Sequence, residues 1–175
     1  MKKGFTMIEL VFVIVILGIL ASVAVPRLAG TKADAEISAA VANLRTLVSD
    51  ATAYYVAKGG FDTTGSGTAT SITTTWSQIT NVPVDDPTKA LSANTSLKVG
   101  GTRCIDFLIT KKNGNTPAYF TFAKYSKGAK DSSVCDQVQK SASLAPYFNS
   151  KVEGVTAQNG KGYMAIGSSI SIYDE

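Results

Sequence analysis

An apolar stretch near the N-terminus most constrains what this chain can form. Residues 5–25 read FTMIELVFVIVILGILASVAV, and Glu9 is their only strongly polar member. An α-helix of that length is roughly 31 Å long, which matches the hydrocarbon thickness of a bilayer. We therefore expect a membrane-spanning helix over residues 5–26. A secretory signal peptide cleaved near Ala21–Ala24 is the alternative, although the apolar part of such signals is normally shorter.

The charges that flank this stretch predict its orientation. Lys2 and Lys3 precede it, whereas the segment that follows it carries charges of both signs. The positive-inside rule then places the N-terminus in the cytoplasm and everything after Arg27 outside it.

Glu9 is the residue that requires an explanation. A carboxylate at the centre of an apolar helix costs about 2.5 to 3.5 kcal/mol on insertion scales, and less near an end. One interpretation is that Glu9 lies at the interface and reaches the lipid headgroups. Another is that a peptidase cuts after Gly4, which would leave the free α-amino group of Phe5 one helical turn from Glu9. That cation on one subunit and Glu9 of a neighbour would then neutralise each other and set the subunit register.

The start of the chain resembles the class III signal of type IV pilins and pseudopilins. The resemblance covers residues 1–28 and rests on the short basic leader, Gly4, Phe5, Thr6, Glu9, the apolar stretch and Pro26. It implies that a prepilin peptidase cleaves between Gly4 and Phe5 and methylates the Phe5 amine, and that Glu9 pairs with this amine on an adjacent subunit. Residues 1–4 are then a leader, residues 5–26 the transmembrane and assembly half of a spine helix, and residues 27–175 a globular head that includes the second half of the helix.

Gly18 and Pro26 predict weak points in this helix. Proline lacks a backbone N–H and crowds the preceding turn, and glycine destabilises a helix interior. A simple proline kink is one interpretation. The resemblance implies the other, in which the helix loosens between Gly18 and Pro26 in the assembled filament.

The rest of the chain predicts an α+β fold in which the long spine helix packs on an antiparallel sheet of about four strands, and the resemblance implies that this is the pilin fold. Apolar residues recur every three or four positions from Ile37 to Tyr55, and Gly59-Gly60 offers a helix stop. Residues 104–110 and 118–123 alternate as strands do, and Asn113-Gly114 between them is a hairpin signal. Near the C-terminus, apolar residues recur at positions of one parity: Met164, Ile166, Ile170 and Ile172. Gly167 lies among them and is a candidate break or bulge in the strand. Trp76 is expected to dock at the end of a loop rich in Gly, Ser and Thr.

Cys104 and Cys135 are the two cysteines of the chain, and their separation fits neither a redox nor a zinc CxxC pattern. Because both are expected outside the cytoplasm, we predict one disulfide, with two buried free thiols as the alternative. The bridge would tie the segment after the hairpin to the first strand of the hairpin. Pilins generally staple the region near their C-terminus, whereas about forty residues follow Cys135 here.

Composition excludes several classes of function. The 175 residues include no histidine, which excludes imidazole metal sites and Ser-His-Asp or Cys-His catalysis. The net charge is +4, and the lysines that follow Lys2 and Lys3 are scattered apart from Lys111-Lys112, so no specific nucleic-acid partner is predicted. No cofactor or metal is predicted either, because Asp85-Asp86 fits a solvated or capping turn better than a calcium site.

Together with these exclusions, the resemblance to type IV pilins implies a structural protein and not an enzyme. The precursor would be inserted in the bacterial inner membrane, processed, and polymerised with copies of itself through the N-terminal helix, by an inner-membrane assembly machinery, into a cell-surface or periplasmic filament. The alternative within the family is a pseudopilin of a type II secretion system. By resemblance, major secretion pseudopilins carry an acidic calcium site in a short C-terminal region, and residues 163–175 lack a convincing one. A monomeric, membrane-anchored binding module with an uncut leader is the alternative from another class.

Overall fold

The structure, a computed structural model, describes most of the chain. The described residues are 4–64, 71–111, 113, 116–125, 133–152, 155–156, 158, 160–167 and 172–173. The chain divides into two compact units, Met1–Ala35 and Glu36–Glu175. The first helix, α1 (Met7–Lys58), contributes to both units, and every other element given below belongs to the second.

The described residues form four α-helices and eight strands. After α1 the helices are α2 (Trp76–Ile79), α3 (Ser133–Lys140) and α4 (Ala145–Asn149), with a 3-10 helix at Ala142–Leu144. The strands are β1 (Thr63–Thr64), β2 (Ser71–Ile72), β3 (Thr95–Val99), β4 (Thr102–Thr110), β5 (Tyr119–Lys124), β6 (Ser150–Lys151), β7 (Lys161–Ala165) and β8 (Ile172–Tyr173).

The second unit is built on an antiparallel four-stranded sheet with the strand order β3-β4-β5-β7. Phe107 of β4 lies opposite Phe122 of β5, and Thr121 of β5 lies opposite Tyr163 of β7. Two further antiparallel pairs, β1 with β2 and β6 with β8, stand outside this sheet. The predicted α+β fold with a four-stranded antiparallel sheet is confirmed.

The hairpin predicted from residues 104–110 and 118–123 is formed by β4 and β5. β4 begins two residues earlier than predicted, and β5 begins one residue later. Asn113 and Thr116 close the connection through mutual backbone hydrogen bonds of 3.1 and 3.0 Å between N and O. Gly114 lies outside the described residues.

The C-terminal segment is interrupted at Gly167, as predicted. β7 ends at Ala165, Ile166 is buried directly after it, and Gly167 adopts φ +73°, a conformation that favours glycine. The next described residues form β8, which pairs with β6 and not with the main sheet. Ile170 lies outside the described residues.

The apolar stripe of α1 packs against the inner face of the sheet. Ala40, Leu44 and Ala51 are fully or almost fully buried in one core with Phe107 and Phe120. Leu47, which the predicted stripe omitted, is also fully buried. α1 ends at Lys58, where Gly59 with φ +73° provides the predicted stop.

Trp76 is the largest side chain of the core. It opens α2, is completely buried, and meets Phe107 edge to face with 4.8 Å between the ring centroids. Such aromatic pairs contribute about 0.5 to 1.5 kcal/mol beyond the burial of their area. The expected docking of Trp76 is therefore confirmed.

Cys104 of β4 and Cys135 of α3 form the predicted disulfide, with their Cα atoms 5.5 Å apart. Gln139 lies one turn further along α3. Its Nε2 donates to the carbonyl oxygens of Cys104 at 2.7 Å and Tyr125 at 3.2 Å. The bridge and this amide together hold α3 against the start of β4 and the end of β5.

Candidate assembly site

The predicted cleavage point lies just before α1. Residues 4–6 are not helical, and α1 begins at Met7. Gly4 is exposed, a Cβ added to it would meet nothing within 4 Å, and Phe5 is 90% exposed. The Gly4–Phe5 bond is therefore exposed and lies outside the helix.

Thr6 and Glu9 form a capping box at the start of α1. The Glu9 Oε2 atom accepts hydrogen bonds from the backbone N of Thr6 at 2.8 Å and from its Oγ1 at 2.6 Å. In return, the Glu9 backbone N donates to Thr6 Oγ1 at 3.4 Å. These contacts satisfy donors that a helix N-terminus leaves without partners. The sequence signal for this capping box is Thr-x-x-Glu at residues 6–9. The capping role of Thr6 was not predicted from the sequence.

The large apolar side chains between Phe5 and Leu28 are exposed on all sides of the chain. From Phe5 to Leu28 the large apolar side chains are between 41% exposed, for Ile16, and 90% exposed, for Phe5. Among the described residues, α1 is the one helix long and apolar enough to cross a membrane. An apolar surface of this extent requires lipid or protein to cover it.

Gly18 and Pro26 both lie within α1, which continues through them in this single chain. Hydroxyl groups donate to helix carbonyls on either side of Pro26. Ser22 Oγ donates to the Ile19 carbonyl at 2.7 Å, and Thr31 Oγ1 donates to the Leu28 carbonyl at 3.0 Å. The predicted loosening concerns the assembled filament and stays a prediction.

The acidic turn at Asp85 and Asp86 belongs to the head and not to the assembly site. Asp85 forms ion pairs with Lys98, at 3.0 Å, and with Arg103. The guanidinium of Arg103 and the ammonium of Lys98 lower the pKa of the Asp85 carboxyl. Asp86 Oδ1 accepts hydrogen bonds from the Thr88 hydroxyl at 2.6 Å and the Thr88 backbone N at 3.1 Å, which lower the pKa of Asp86. Asp86 thus caps the turn as expected, whereas Asp85 is paired with two cations and is neither solvated nor capping.

Comparisons with known proteins find relatives that share the N-terminal sequence of this chain. The family model described as the prokaryotic N-terminal methylation motif matches residues 1–25. The chain is 31% identical over 139 residues to the type IV major pilin protein PilE of Neisseria gonorrhoeae, a match that covers 77% of this chain and 82% of that protein. This chain belongs to the type IV pilin family.

Shorter matches connect the pilin-family chain to two further kinds of protein. It is 41% identical over 66 residues to the type II secretion system core protein G of Dickeya chrysanthemi, covering 38% of this chain and 43% of that protein. It is 42% identical over 73 residues to the fimbrial protein of Neisseria meningitidis serogroup B, covering 41% of this chain and 43% of that protein. The chain therefore spans less than half the length of these two relatives. No solved structure matches it.

The structure places the predicted site residues of this pilin-family chain in three groups. Gly4, Phe5 and Glu9 lie together at the start of α1. Gly18 and Pro26 lie further along the same helix. The Cys104–Cys135 disulfide belongs to the second unit.

Proposed function

We propose that this chain is the structural subunit of a type IV pilus-like filament. The observation that carries the proposal is the exposed apolar surface of α1 from Phe5 to Leu28, in a chain that belongs to the type IV pilin family. Before assembly, the lipid of the inner membrane covers this surface. In the filament, the same surface of neighbouring subunits covers it, so burial of the helix supplies the main attraction between subunits.

Processing comes before assembly in this proposal. Prepilin peptidase hydrolyses the Gly4–Phe5 bond, so that Gly4 becomes a carboxylate and the Phe5 nitrogen becomes a free amine, which is then methylated. The exposed, non-helical conformation of residues 4–6 supports cleavage at this position. The methylated amine remains protonated near neutral pH and therefore remains a cation.

Glu9 sets the register between subunits. The hydrogen bonds that the Glu9 carboxylate accepts from described residues both come from Thr6 and end on Oε2, so we assign Oε1 to a donor from another chain. The Phe5 ammonium of a neighbouring subunit supplies that donor. In an apolar surrounding this pair is strongly favoured over an unpaired carboxylate, which would have to be buried alone. The pair thus selects one axial position among the many that apolar contacts alone would allow.

The compartments follow from the same arrangement. The precursor spans the inner membrane over residues 5–26, with its N-terminus in the cytoplasm and residues 27–175 outside, where the Cys104–Cys135 disulfide is stable. Its partners are further copies of itself, prepilin peptidase and an inner-membrane assembly machinery. The head presents its surface on the filament, and no catalytic role is assigned to it.

A pseudopilin of a type II secretion system is the second candidate, favoured by the match to the Dickeya secretion protein. The match to the gonococcal pilin extends over 139 residues and therefore includes much of the head, whereas the secretion-protein match extends over 66. We favour the pilus on this difference.

Two experiments test the proposal. Glu9→Ala should insert and be processed but give few sheared filaments, whereas Asp136→Ala, which removes an exposed acid from α3, should give the wild-type yield. A wild-type yield from Glu9→Ala would refute the register role. Electron microscopy of cells without the protein separates the candidates, since lost surface fibres support the pilus and lost exoprotein secretion supports the pseudopilin. An uncut leader with no sedimentable polymer would instead indicate a monomeric binding module.

A further inference from the structure

A groove crosses the face of the sheet that is turned away from α1. Along β4 and β5 the core residues alternate with residues of this outer face, such as Leu108, Thr110 and Thr121. The connection between β6 and β7 supplies Thr156 and Gln158 to the opposite wall. All of these residues lie in the second unit, so the groove is independent of the assembly helix.

Tyr119 gives the groove an aromatic surface. Its half-buried ring meets the ring of Tyr163 edge to face, with 5.9 Å between the centroids, and Tyr163 is only 5% exposed. The buried ring therefore fixes the Tyr119 ring, and Leu108 extends the apolar surface. A rigid aromatic ring beside polar groups is the surface on which the C–H face of a sugar ring packs.

Hydroxyl and amide groups surround this aromatic surface. Thr110, Thr121 and Thr156 contribute hydroxyls, and Asn113 and Gln158 contribute amides. Each of these groups both donates and accepts hydrogen bonds, as sugar hydroxyls do. The groove therefore matches a polyhydroxylated ligand better than a purely apolar one.

The charges that line the groove specify the ligand further. Among the described residues around Tyr119, the charged lining residues are Lys111 and Lys161, both cations. Lys161 Nζ donates to Gln158 Oε1 at 2.7 Å, which fixes the ammonium and leaves two N–H groups for a ligand. Lys161 also lines the adjoining groove that continues towards Lys124 and Asp106. The positioned Lys161 ammonium, with Lys111 as a second lining cation, favours a ligand that carries carboxylates.

We propose that this groove binds a carboxylated oligosaccharide, with a sugar ring on Tyr119 and a carboxylate on Lys161. The ligand would be an acidic glycan on a surface that the filament meets. This binding goes beyond polymerisation and does not require it, since all the described lining residues of the groove belong to a single head.

The test uses the full-length protein in detergent, titrated with a short oligogalacturonate and with a neutral maltooligosaccharide of equal length. The acidic sugar should bind about tenfold more tightly, and Lys161→Gln should remove about that factor, as the loss of one charge-assisted hydrogen bond does. Tyr119→Ala should weaken the binding of both sugars. Lys58→Gln, the same charge change at the end of α1 and outside the groove, should bind as wild type does.

Folding is checked by thermal unfolding of each variant. If Tyr119→Ala unfolds, the exposed Lys161→Gln and a Thr121→Ala variant carry the test. The proposal is overturned if neither sugar binds, if both bind equally, or if Lys161→Gln binds as wild type does. Tighter binding of single-stranded DNA or inorganic polyphosphate than of oligogalacturonate would also overturn it, because it would indicate a general polyanion surface.

Discussion

Thr6 and Glu9 form reciprocal hydrogen bonds at the first turn of α1. The Thr6 hydroxyl lies 2.6 Å and its backbone N 2.8 Å from the same Glu9 oxygen, and the Glu9 backbone N donates back to the hydroxyl. Because Thr6 follows the Gly4–Phe5 bond, cleavage there leaves this capping box in the mature chain. In the proposed processing, Thr6 would therefore still hold the Glu9 carboxylate after the leader is removed.

Replacing Thr6 tests this positioning. Thr6→Ala removes the hydroxyl cap, and such caps contribute about 1 kcal/mol to a helix N-terminus. We expect normal insertion and processing but a reduced yield of sheared filaments, with Thr6→Ser restoring the yield. Immunoblots of processed protein, measured beside the filament yield, separate assembly from expression. A serine variant as defective as the alanine variant would show that the hydroxyl is not what matters.

Gly162 lies where β7 passes directly under α4. A Cβ at this position would lie 2.7 Å from the Phe148 Cα and still closer to the Tyr147 carbonyl oxygen. Gly162→Ala therefore forces two backbone segments apart, and overpacking of this kind costs typically about 1 to 3 kcal/mol. Urea unfolding of the full-length protein in detergent should show the loss.

Gly60→Ala is the matched control for Gly162→Ala. A Cβ at Gly60 meets nothing within 4 Å, and Gly60 does not have the positive φ of its neighbour Gly59. This variant should unfold at the wild-type urea concentration or slightly above it. Equal midpoints for Gly162→Ala and wild type would contradict the close packing of β7 and α4.

The Cys104–Cys135 bridge closes a loop with a sequence separation of 31 residues. In the chain-entropy account, a loop of this length stabilises the fold by about 3 to 4 kcal/mol. The double variant Cys104→Ser with Cys135→Ser should lose that amount in urea unfolding. Mass spectrometry provides the independent measurement, because the unfolded protein should take up alkylating reagent only after reduction. If reduction left the number of alkylated cysteines unchanged, the Cys104–Cys135 disulfide would not exist in the protein.

The ion pairs of Asp85 predict a dependence of stability on pH. Arg103 and Lys98 lower the pKa of Asp85 in the folded state below its ordinary value of 3.8. The unfolded chain therefore binds a proton first on acidification. The stabilisation is complete above about pH 5, and is lost as the pH falls through 3.8 towards the folded-state pKa.

Asp85→Asn should be less stable than wild type at neutral pH and should lose less stability on acidification. Urea midpoints measured from neutral pH down to the acid limit of folding provide the comparison. Asp136→Asn is the control, because its partner Lys140 is 70% exposed and exposed pairs contribute little. If Asp85→Asn and wild type lose stability in parallel below pH 5, the ion pairs do not contribute as stated.

Much of the fold is encoded in local patterns. β4 and β5 alternate because one side of each strand faces the core, and Ile105, Phe107 and Phe120 are almost fully buried there. The end of α1 follows from Gly59, which adopts the positive φ of a helix C-cap. These features depend on residues close in sequence, so periodicity and turn chemistry were sufficient to predict them.

β3 shows why the rest was not predicted. Thr95, Ser96 and Leu97 are all buried, so the strand shows no alternation. Its free edge is covered by the preceding segment, in which the Asp85 backbone N donates to the Ser96 carbonyl at 2.8 Å. The remaining signal was Gly100-Gly101, where φ values of +57° and +82° permit a two-residue turn into β4. The hydrophobic periodicity of a strand does not show that a segment outside the strand also buries its polar residues.

At the candidate site, the sequence predicted Gly4, Phe5 and Glu9 from one motif. It did not predict the partner of Glu9 within the chain, because a carboxylate in an apolar stretch suggests a cation, whereas the Thr6 contact is a neutral capping interaction. The groove around Tyr119 was also missed. Its residues come from β4, β5 and the connection before β7, and only the sheet brings them together.

The central claim is that Glu9 pairs with the Phe5 amine of a neighbouring subunit, and cryo-electron microscopy of sheared filaments tests it most directly. We predict a chain that begins at Phe5, with its nitrogen within about 4 Å of a Glu9 carboxylate oxygen of an adjacent subunit, the distance of an ion pair. A filament whose subunits retain Met1 to Gly4, or in which every Phe5 nitrogen lies beyond ion-pair distance of any neighbouring Glu9, would contradict it.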